Sequence, residues 1–355
     1  MKNALNFNHA VLVGKSIEQL QEFAESLGHE AYRGTQLYEW IYLKNVHELD
    51  KMTNLPIKFK EQIKESGVKR PIKKLQVSIS KSNKTRKFLF LLSNGEKIES
   101  VLMKERNRLT ICLSTQIGCA VDCAFCATGK MGFKRNLSVG EIVDQYLQIQ
   151  RESRKVITNI VFMGMGEPFL NYDNVISASK IFNDSIGINL SSRKITISTS
   201  GIIPKIKKFT EDGQKYKLAV SLNGSSQKQR IDTMPIAKSF PMDELLSACK
   251  FYTKKSRMRI TFEYVLLKGI NDSFEDAQRL KKILSPINCK LNIIPYNEID
   301  SDFFRPEKHK IETFIDKFNG APFPVTVRWS KGDGIDAGCG QLVTENLKNQ
   351  NNKLC

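Results

Sequence analysis

Leu109-Thr-Ile-Cys-Leu-Ser114 runs through Thr115-Gln-Ile-Gly into Cys119-Ala-Val-Asp-Cys123-Ala-Phe-Cys126. The first six residues are a short apolar run, which predicts a buried strand. The cysteines follow at its end in a Cys-x3-Cys-x2-Cys loop. Three thiolates in that spacing can hold three irons of a [4Fe–4S] cluster and leave the fourth iron open. Ordinary electron-transfer clusters use four cysteines, and zinc knuckles show paired Cys-x2-Cys units. Two plainer readings remain beside the cluster: a zinc site completed by Cys112, and simple buried thiols. None of the four histidines (His9, His29, His47, His309) lies near the loop.

Downstream, apolar runs alternate with helical patterns. Strands are predicted at Leu109–Ser114, Asn159–Met163, Lys194–Ser198, Leu218–Leu222, Arg259–Leu266 and Lys290–Ile294, with a late strand at Val325–Trp329. Ser138-Val-Gly-Glu141 is a capping box that opens a helix with Ile142, Tyr146 and Ile149 on one face. Six βα units imply a parallel sheet, and six are too few to close an eightfold barrel, so an open (βα)6 partial barrel of the TIM type is expected. Chemistry in such a fold sits at the C-terminal ends of the strands.

Those ends carry a consistent set of residues. The second strand ends in Met163-Gly-Met-Gly-Glu-Pro168, where Gly166 lets the backbone approach a ligand and Glu167 can pair with an ammonium group. Ser198 ends the third strand, Ser221-Leu222-Asn223 the fourth, and Asn297 follows the sixth. Each alone reads as a turn or cap residue. On one rim they suit a nucleoside-bearing cofactor. Near the C-terminus, Gly332-Asp-Gly-Ile-Asp-Ala-Gly-Cys339-Gly-Gln sets one thiol between glycines. Cys249 and Cys289 read as core. Cys355 lies on a polar tail and has no assigned role.

Upstream, residues 14–66 read as helices, with Ser16 and Gln19 forming a capping box. Residues 68–108 alternate, and Asn94-Gly95 between two apolar runs predicts a β-hairpin. This segment holds twelve Lys/Arg against three Glu, an excess of +9. The whole 355-residue chain has 55 basic and 37 acidic residues, net +18, with 41% hydrophobic residues. Such a surface seeks phosphates, and nucleic acid is the expected partner. Lys73, Lys74, Arg86 and Lys87 are the candidate phosphate contacts. No apolar run spans a membrane and no signal peptide is visible, so a cytoplasmic location with no membrane partner is expected.

The loop, with Phe125 before its last cysteine, resembles that of the radical SAM superfamily. Together with Cys112, the Met-Gly-Met-Gly-Glu-Pro strand end, the Cys339 loop and Ala31-Tyr-Arg-Gly-Thr-Gln36, the chain resembles the RlmN/Cfr family of radical SAM RNA methyltransferases from about 14 to 345. One departure is Ser-Leu-Asn at 221–223, where many members have Ser-Leu-His. The resemblance implies one [4Fe–4S] cluster on Cys119, Cys123 and Cys126, with S-adenosylmethionine on the open iron and against Gly166, Glu167, Ser198, Ser221, Leu222, Asn223 and Asn297. It implies methylation of adenine C2 in 23S rRNA at the peptidyl-transferase centre and in tRNA beside the anticodon. Two cofactor molecules would be used. Cys339 would carry the methyl group, Glu99 would take the C2 proton, and Cys112 would release product through a transient disulfide. An electron donor such as flavodoxin or ferredoxin is implied, and the chain is expected to be a monomer. Adenine C2 is an electron-poor amidine carbon and no nucleophile, which is why a radical route is needed. Methylation at adenine C8, as in Cfr-type enzymes, and a non-catalytic RNA-binding protein with a structural metal are the alternatives.

The expected organisation is a helical RNA-binding unit over 1–66, a basic hairpin extension over 67–108, the barrel over 109–300, an extension with the Cys339 loop over 301–345, and a tail over 346–355. By residue type alone, Glu99 reads as a solvated edge carboxylate and Cys112 as core.

Overall fold

A computed structural model describes residues 11–330, 332 and 334–343. The polar tail and Cys355 lie outside the described residues. The strands are β1 (Ile72–Ile79), β2 (Thr85–Leu92), β3 (Lys97–Glu105), β4 (Arg108–Cys112), β5 (Gln116–Gly118), β6 (Phe133–Asn136), β7 (Asn159–Phe162), β8 (Ile195–Thr199), β9 (Lys217–Ser221), β10 (Ile260–Leu266), β11 (Cys289–Pro295) and β12 (Val325–Val327). Ten of them make one sheet in the order β1-β2-β3-β4-β7-β8-β9-β10-β11-β12. From β4 to β12 every pairing is parallel. The two ends of that order, β1 and β12, do not pair, so the barrel is open. Strands such as Ile260–Leu266, buried along their whole length, are covered on both faces.

The helices follow their local signals. Both capping boxes form, at Ser16 with Gln19 and at Ser138 with Glu141. Ile142, Tyr146 and Ile149 are buried on the face turned to the sheet. Helices Ile17–Ser26 and Ala31–Tyr38 cross closely at Gly34, where a Cβ would meet the Leu20 carbonyl oxygen at 2.3 Å. Arg33 of the same stretch donates to Gln36 Oε1 and to the Asn54 carbonyl.

The basic segment differs from expectation in three ways. The expected hairpin forms as β2 and β3, but it is continuous with the main sheet: β1 pairs with β2, and β3 pairs with β4. An unpaired β4 would otherwise leave an open edge. The Asn94-Gly95 turn closes through Gly95 N–H to the Leu92 carbonyl, and only Gly95 takes a positive φ, +82°. A two-residue type I′ turn would need both residues there. Third, Lys74 is ion-paired with Glu152, and Lys87 lies 2.9 Å from Glu99 with its side chain 12% exposed. Two of the four expected phosphate contacts therefore already have carboxylate partners.

Candidate active site

The C-terminal ends of β7 to β11 surround a cavity lined by Cys119, Cys123, Cys126, Glu167, Ser198, Ser221, Asn223, Asn297 and Cys339. The cysteine loop is held by backbone hydrogen bonds, Cys126 N–H to Cys123 O at 3.0 Å and Ala124 N–H to Thr233 O at 3.0 Å. Burial pushes the Cys119 thiol up to about 12, and the Cys123 thiol is also pushed well up by burial. Both ligate only as thiolates, so iron must offset that cost with its own charge. Among the described residues no three His, Cys, Asp or Glu converge as a single-ion site requires. A cubane instead takes thiolates spread around a loop.

Gly166, at φ +96°, packs so tightly on Gln116 that a Cβ would meet that side chain at 2.4 Å. This places the Glu167 carboxylate, 4% exposed, under the rim. It accepts from Phe169 N–H at 2.9 Å and Ser200 N–H at 2.6 Å. Burial raises its pKa, against those backbone donors. Asn223 adopts a left-handed φ of +52°, and its Oδ1 accepts from Val265 N–H at 2.9 Å. Only its amide nitrogen, 3.3 Å from Met234 Sδ, remains for a ligand. Leu222 lies outside the cavity lining: its side chain is fully buried in the core and its N–H donates to Glu263 O. Ser198 and Ser221 both line the cavity.

Three buried polar atoms of this cavity lack a hydrogen-bond partner: Ser200 Oγ, Glu263 Oε2 and Asn297 Oδ1. Buried polar atoms are seldom left unpaired without a ligand to complete them. These orphans, the glycine-lined approach and the three thiols fit S-adenosylmethionine on an iron–sulfur cluster.

Cys339 faces the same cavity. Its carbonyl accepts from Asn297 Nδ2 at 3.1 Å, and the adjoining Gly340 carbonyl accepts from Ala127 N–H at 2.7 Å. The cysteine is exposed, yet protein surrounds the thiol and pushes it up to about 11. Its accessible surface is that of the cavity. Cys112 faces inward from β4, opposite Val101 of β3, and burial pushes its thiol up to about 12. Glu99, on the same face of β3 two residues before Val101, is only 4% exposed, not solvated. Lys87 Nζ lies 2.9 Å from its Oε1, and the N–H of Val343 donates to Oε2 at 3.0 Å. Glu99 and Cys112 lie beside the cavity rather than in its lining.

Three charged side chains at the site have no place in the sequence reading. Arg328 follows β12 and acts electrostatically on both Cys112 and Cys339. Its guanidinium meets two thioethers, Met163 Sδ at 3.5 Å and Met103 Sδ at 4.0 Å. Glu263 is a single carboxylate in the otherwise uncharged buried run Ile260–Leu266. A lone charge in a buried strand is a legible signal of function. Arg230 is fully buried and donates to the Ser221, Leu222 and Ser200 carbonyls. It thereby ties the rims of β8 and β9 together. Arg230→Ala would leave three buried acceptors unpaired, at about 1–3 kcal/mol each. Chemical denaturation should show a loss of at least about 3 kcal/mol, and a change below about 1 kcal/mol would contradict that role.

A three-cysteine loop above the C-terminal rim of an open parallel barrel defines a radical SAM enzyme, and residues 113–280 match the family model of the Radical SAM superfamily. Residues 11–68 match the ribosomal RNA large subunit methyltransferase N-terminal domain. The chain is 42% identical to "Probable dual-specificity RNA methyltransferase RlmN" of Pseudothermotoga lettingae, over 94% of this chain and 96% of that protein. It is 41% identical to the protein of the same name from Synechococcus elongatus, covering 93% and 92%. A radical SAM methyltransferase from Sphaerobacter thermophilus superposes with a TM-score of 0.89 at 37% identity, over 93% of this chain and 98% of that one. The chain belongs to the RlmN family of radical SAM RNA methyltransferases. No helix among the described residues is long and apolar enough to cross a membrane.

Proposed function

We propose that this enzyme methylates adenine C2 in 23S rRNA and tRNA, with Cys339 as the carbon carrier. The observation that carries this reading is the meeting of Cys339, at the cavity wall beside the cysteine loop, with Cys112 and Arg328 behind it. Cys119, Cys123 and Cys126 would hold the cluster, and Glu167, Ser198, Ser221, Asn223 and Asn297 the cofactor. When bound, cluster and S-adenosylmethionine supply the methyl group and a hydrogen-abstracting radical.

The chain's own residues account for the remainder. Cys339 presents its sulfur-bound carbon to adenine. Glu99, whose Oε1 lies 2.9 Å from Lys87 Nζ, is an acceptor for the C2 proton. The Cys112 thiolate then attacks the Cys339 sulfur. The carbon–sulfur electron pair passes to the adenine-bound carbon, which takes a proton and becomes the methyl group. A disulfide remains for an external reductant. The structure does not support that disulfide: all seven described cysteines are free. An electron donor of the flavodoxin or ferredoxin type and a monomeric, cytoplasmic enzyme complete this reading.

Because the attacking species is a thiolate, the high Cys112 pKa makes release pH-limited. The group is raised, so its thiolate fraction at neutral pH is small and grows about tenfold per pH unit. Release in single turnovers should quicken accordingly between neutral and mildly alkaline pH. Arg328 favours the thiolate, so Arg328→Gln should slow release at fixed pH. A release rate independent of both pH and Arg328 would argue against this step. The function itself is tested by nucleoside mass spectrometry of rRNA and tRNA from a deletion strain: loss of 2-methyladenosine supports it, while loss of 8-methyladenosine, or of neither, refutes it.

A further inference from the structure

The other end of the barrel is as distinctive as the cysteine end. Arg108 is the first residue of β4 and Lys217 the first of β9. Lys194 immediately precedes β8 and Arg259 immediately precedes β10. Lys290 is the second residue of β11. Five of the six central parallel strands thus begin with a cation, and only β7 begins with a neutral residue, Asn159.

Side-chain alternation shows where these cations point. Ser198, Ser221, Glu263 and Ile294 line the cavity inside the barrel. Lys194, Lys217, Arg259 and Lys290 each stand four residues before one of them, an even spacing that keeps the same face. Arg108 stands four before Cys112. Within their strands Arg108, Lys217 and Lys290 therefore share the inward face, while Lys194 and Arg259 stand at the entries of β8 and β10. In register Lys217 stands opposite Thr196, two residues beyond Lys194, and Lys290 opposite Thr261, two residues beyond Arg259, so the cations step along the sheet from strand to strand.

Apart from Glu263, which favours the charge of Lys290, the charged groups acting on Lys217 and Lys290 are cations. None of the five is in an ion pair or side-chain hydrogen bond among the described residues. Burial and then mutual repulsion lower the pKa of Lys217, whose first Coulombic neighbours are Lys290, Lys194 and Arg108. Lys290 is lowered by burial too, with Arg108, Arg328 and Arg259 opposing its charge and Glu263 favouring it. Four of the five are exposed and Lys290 is half-buried, so an incoming anion can reach them. Proteins do not ordinarily gather like charges around one opening unless an anion offsets the repulsion.

We propose that the barrel mouth at the N-terminal ends of β4, β8, β9, β10 and β11 is a phosphate-binding site for the RNA backbone, built by Arg108, Lys194, Lys217, Arg259 and Lys290. It rests on the functional reading above and adds where the RNA sits and from which side the target base enters. Four residues of strand separate Lys217 from Ser221, about 13 Å at roughly 3.3 Å per residue. A nucleotide turned out of its stack, with its phosphate at the mouth, would point its base up the axis toward the cavity. Phosphates grip the strand and fix its position, while the base is recognised inside. The basic strands β1 to β3, two of whose lysines are paired, then serve as flanking surface.

The test compares wild type, Lys217→Ala/Lys290→Ala and Lys217→Arg/Lys290→Arg for binding of a tRNA transcript over a range of salt. Iron content and thermal unfolding serve as controls for folding. Each lost phosphate contact lowers the magnitude of the log K against log salt slope by roughly 0.7–0.9. The alanine pair should flatten the slope by about 1.5 and weaken binding at least about tenfold at physiological salt, and the arginine pair should restore both. Unchanged affinity and slope in an iron-replete alanine pair would overturn the site. So would an equal loss in the arginine pair, because the requirement would then be for shape and not charge. Wild-type methylation of adenine separates the two readings. If it persists while the alanine pair binds normally, only the phosphate site falls. If wild type binds RNA through these residues but makes no methyladenosine, the site stands and the functional reading falls.

Discussion

Cys123→Ala is expected to purify without its iron–sulfur cluster and to cleave no S-adenosylmethionine. Cys123 is the middle cysteine of the loop, and its thiol interacts electrostatically with both Cys126 and Cys119. Removing it leaves two thiolates, too few to retain a cubane that already has one open iron. The loop itself should keep its course, because backbone groups hold it: Cys126 N–H to Cys123 O, Cys119 N–H to Gly132 O and Ala124 N–H to Thr233 O. The effect is therefore a loss of chemistry in a folded protein. Iron and sulfide per chain, visible absorbance and reductant-dependent cofactor cleavage report it, with circular dichroism as the folding control. A variant with full iron and wild-type cleavage would remove Cys123 from the cluster.

Cys112→Ala is expected to stop the reaction after carbon–carbon bond formation and to accumulate a protein–RNA adduct. If Cys339 becomes joined to adenine through its former methyl carbon, a second thiol must attack its sulfur to free the base. In the proposed function the three loop thiols hold the cluster, and Cys249 and Cys289 are buried in the core. Cys339 acts electrostatically on Cys112, raising its pKa, and Arg328 favours the ionised form of Cys112. Denaturing electrophoresis should show RNA-linked protein in Cys112→Ala, joined through Cys339. Cys339→Ala, alone or combined with Cys112→Ala, should show none and should form no methylated RNA. Normal turnover without retained RNA in Cys112→Ala would return Cys112 to the core.

The two residues flanking Cys339 illustrate how far local reading reaches. Glycines at 338 and 340 were legible as freedom for the loop, and the structure gives that freedom a use. A Cβ at Gly338 would strike Asn297 at 2.6 Å, so the glycine admits the amide that holds the Cys339 carbonyl. Glu99 shows the opposite case. It follows a turn in a basic, alternating segment, and nothing in that pattern distinguishes a solvated carboxylate from a buried one. Its burial depends on Val343, more than two hundred residues away, and on Lys87 across the strand pair. Lys74 and Lys87 were misread as free cations for the same reason, since their partners lie on other elements.

What the sequence alone determined is what repeats or clusters within a few residues: the strand and helix periods, the capping boxes, the glycine approach at Gly166 and the three-cysteine loop. Each of these is written in backbone preference or ligand spacing, and each formed where its residues predicted. The tertiary structure alone decided which side chains converge. It joined β3 to β4, turned Leu222 into the core, brought Arg328 to two thiols from the far edge of the sheet, and ringed one barrel mouth with five cations contributed by five separate strands. Strand register and barrel closure set those meetings, and both arise from packing between segments far apart in the chain. A charge in a strand can be read from sequence, but the charges it will face depend on which strand lies beside it.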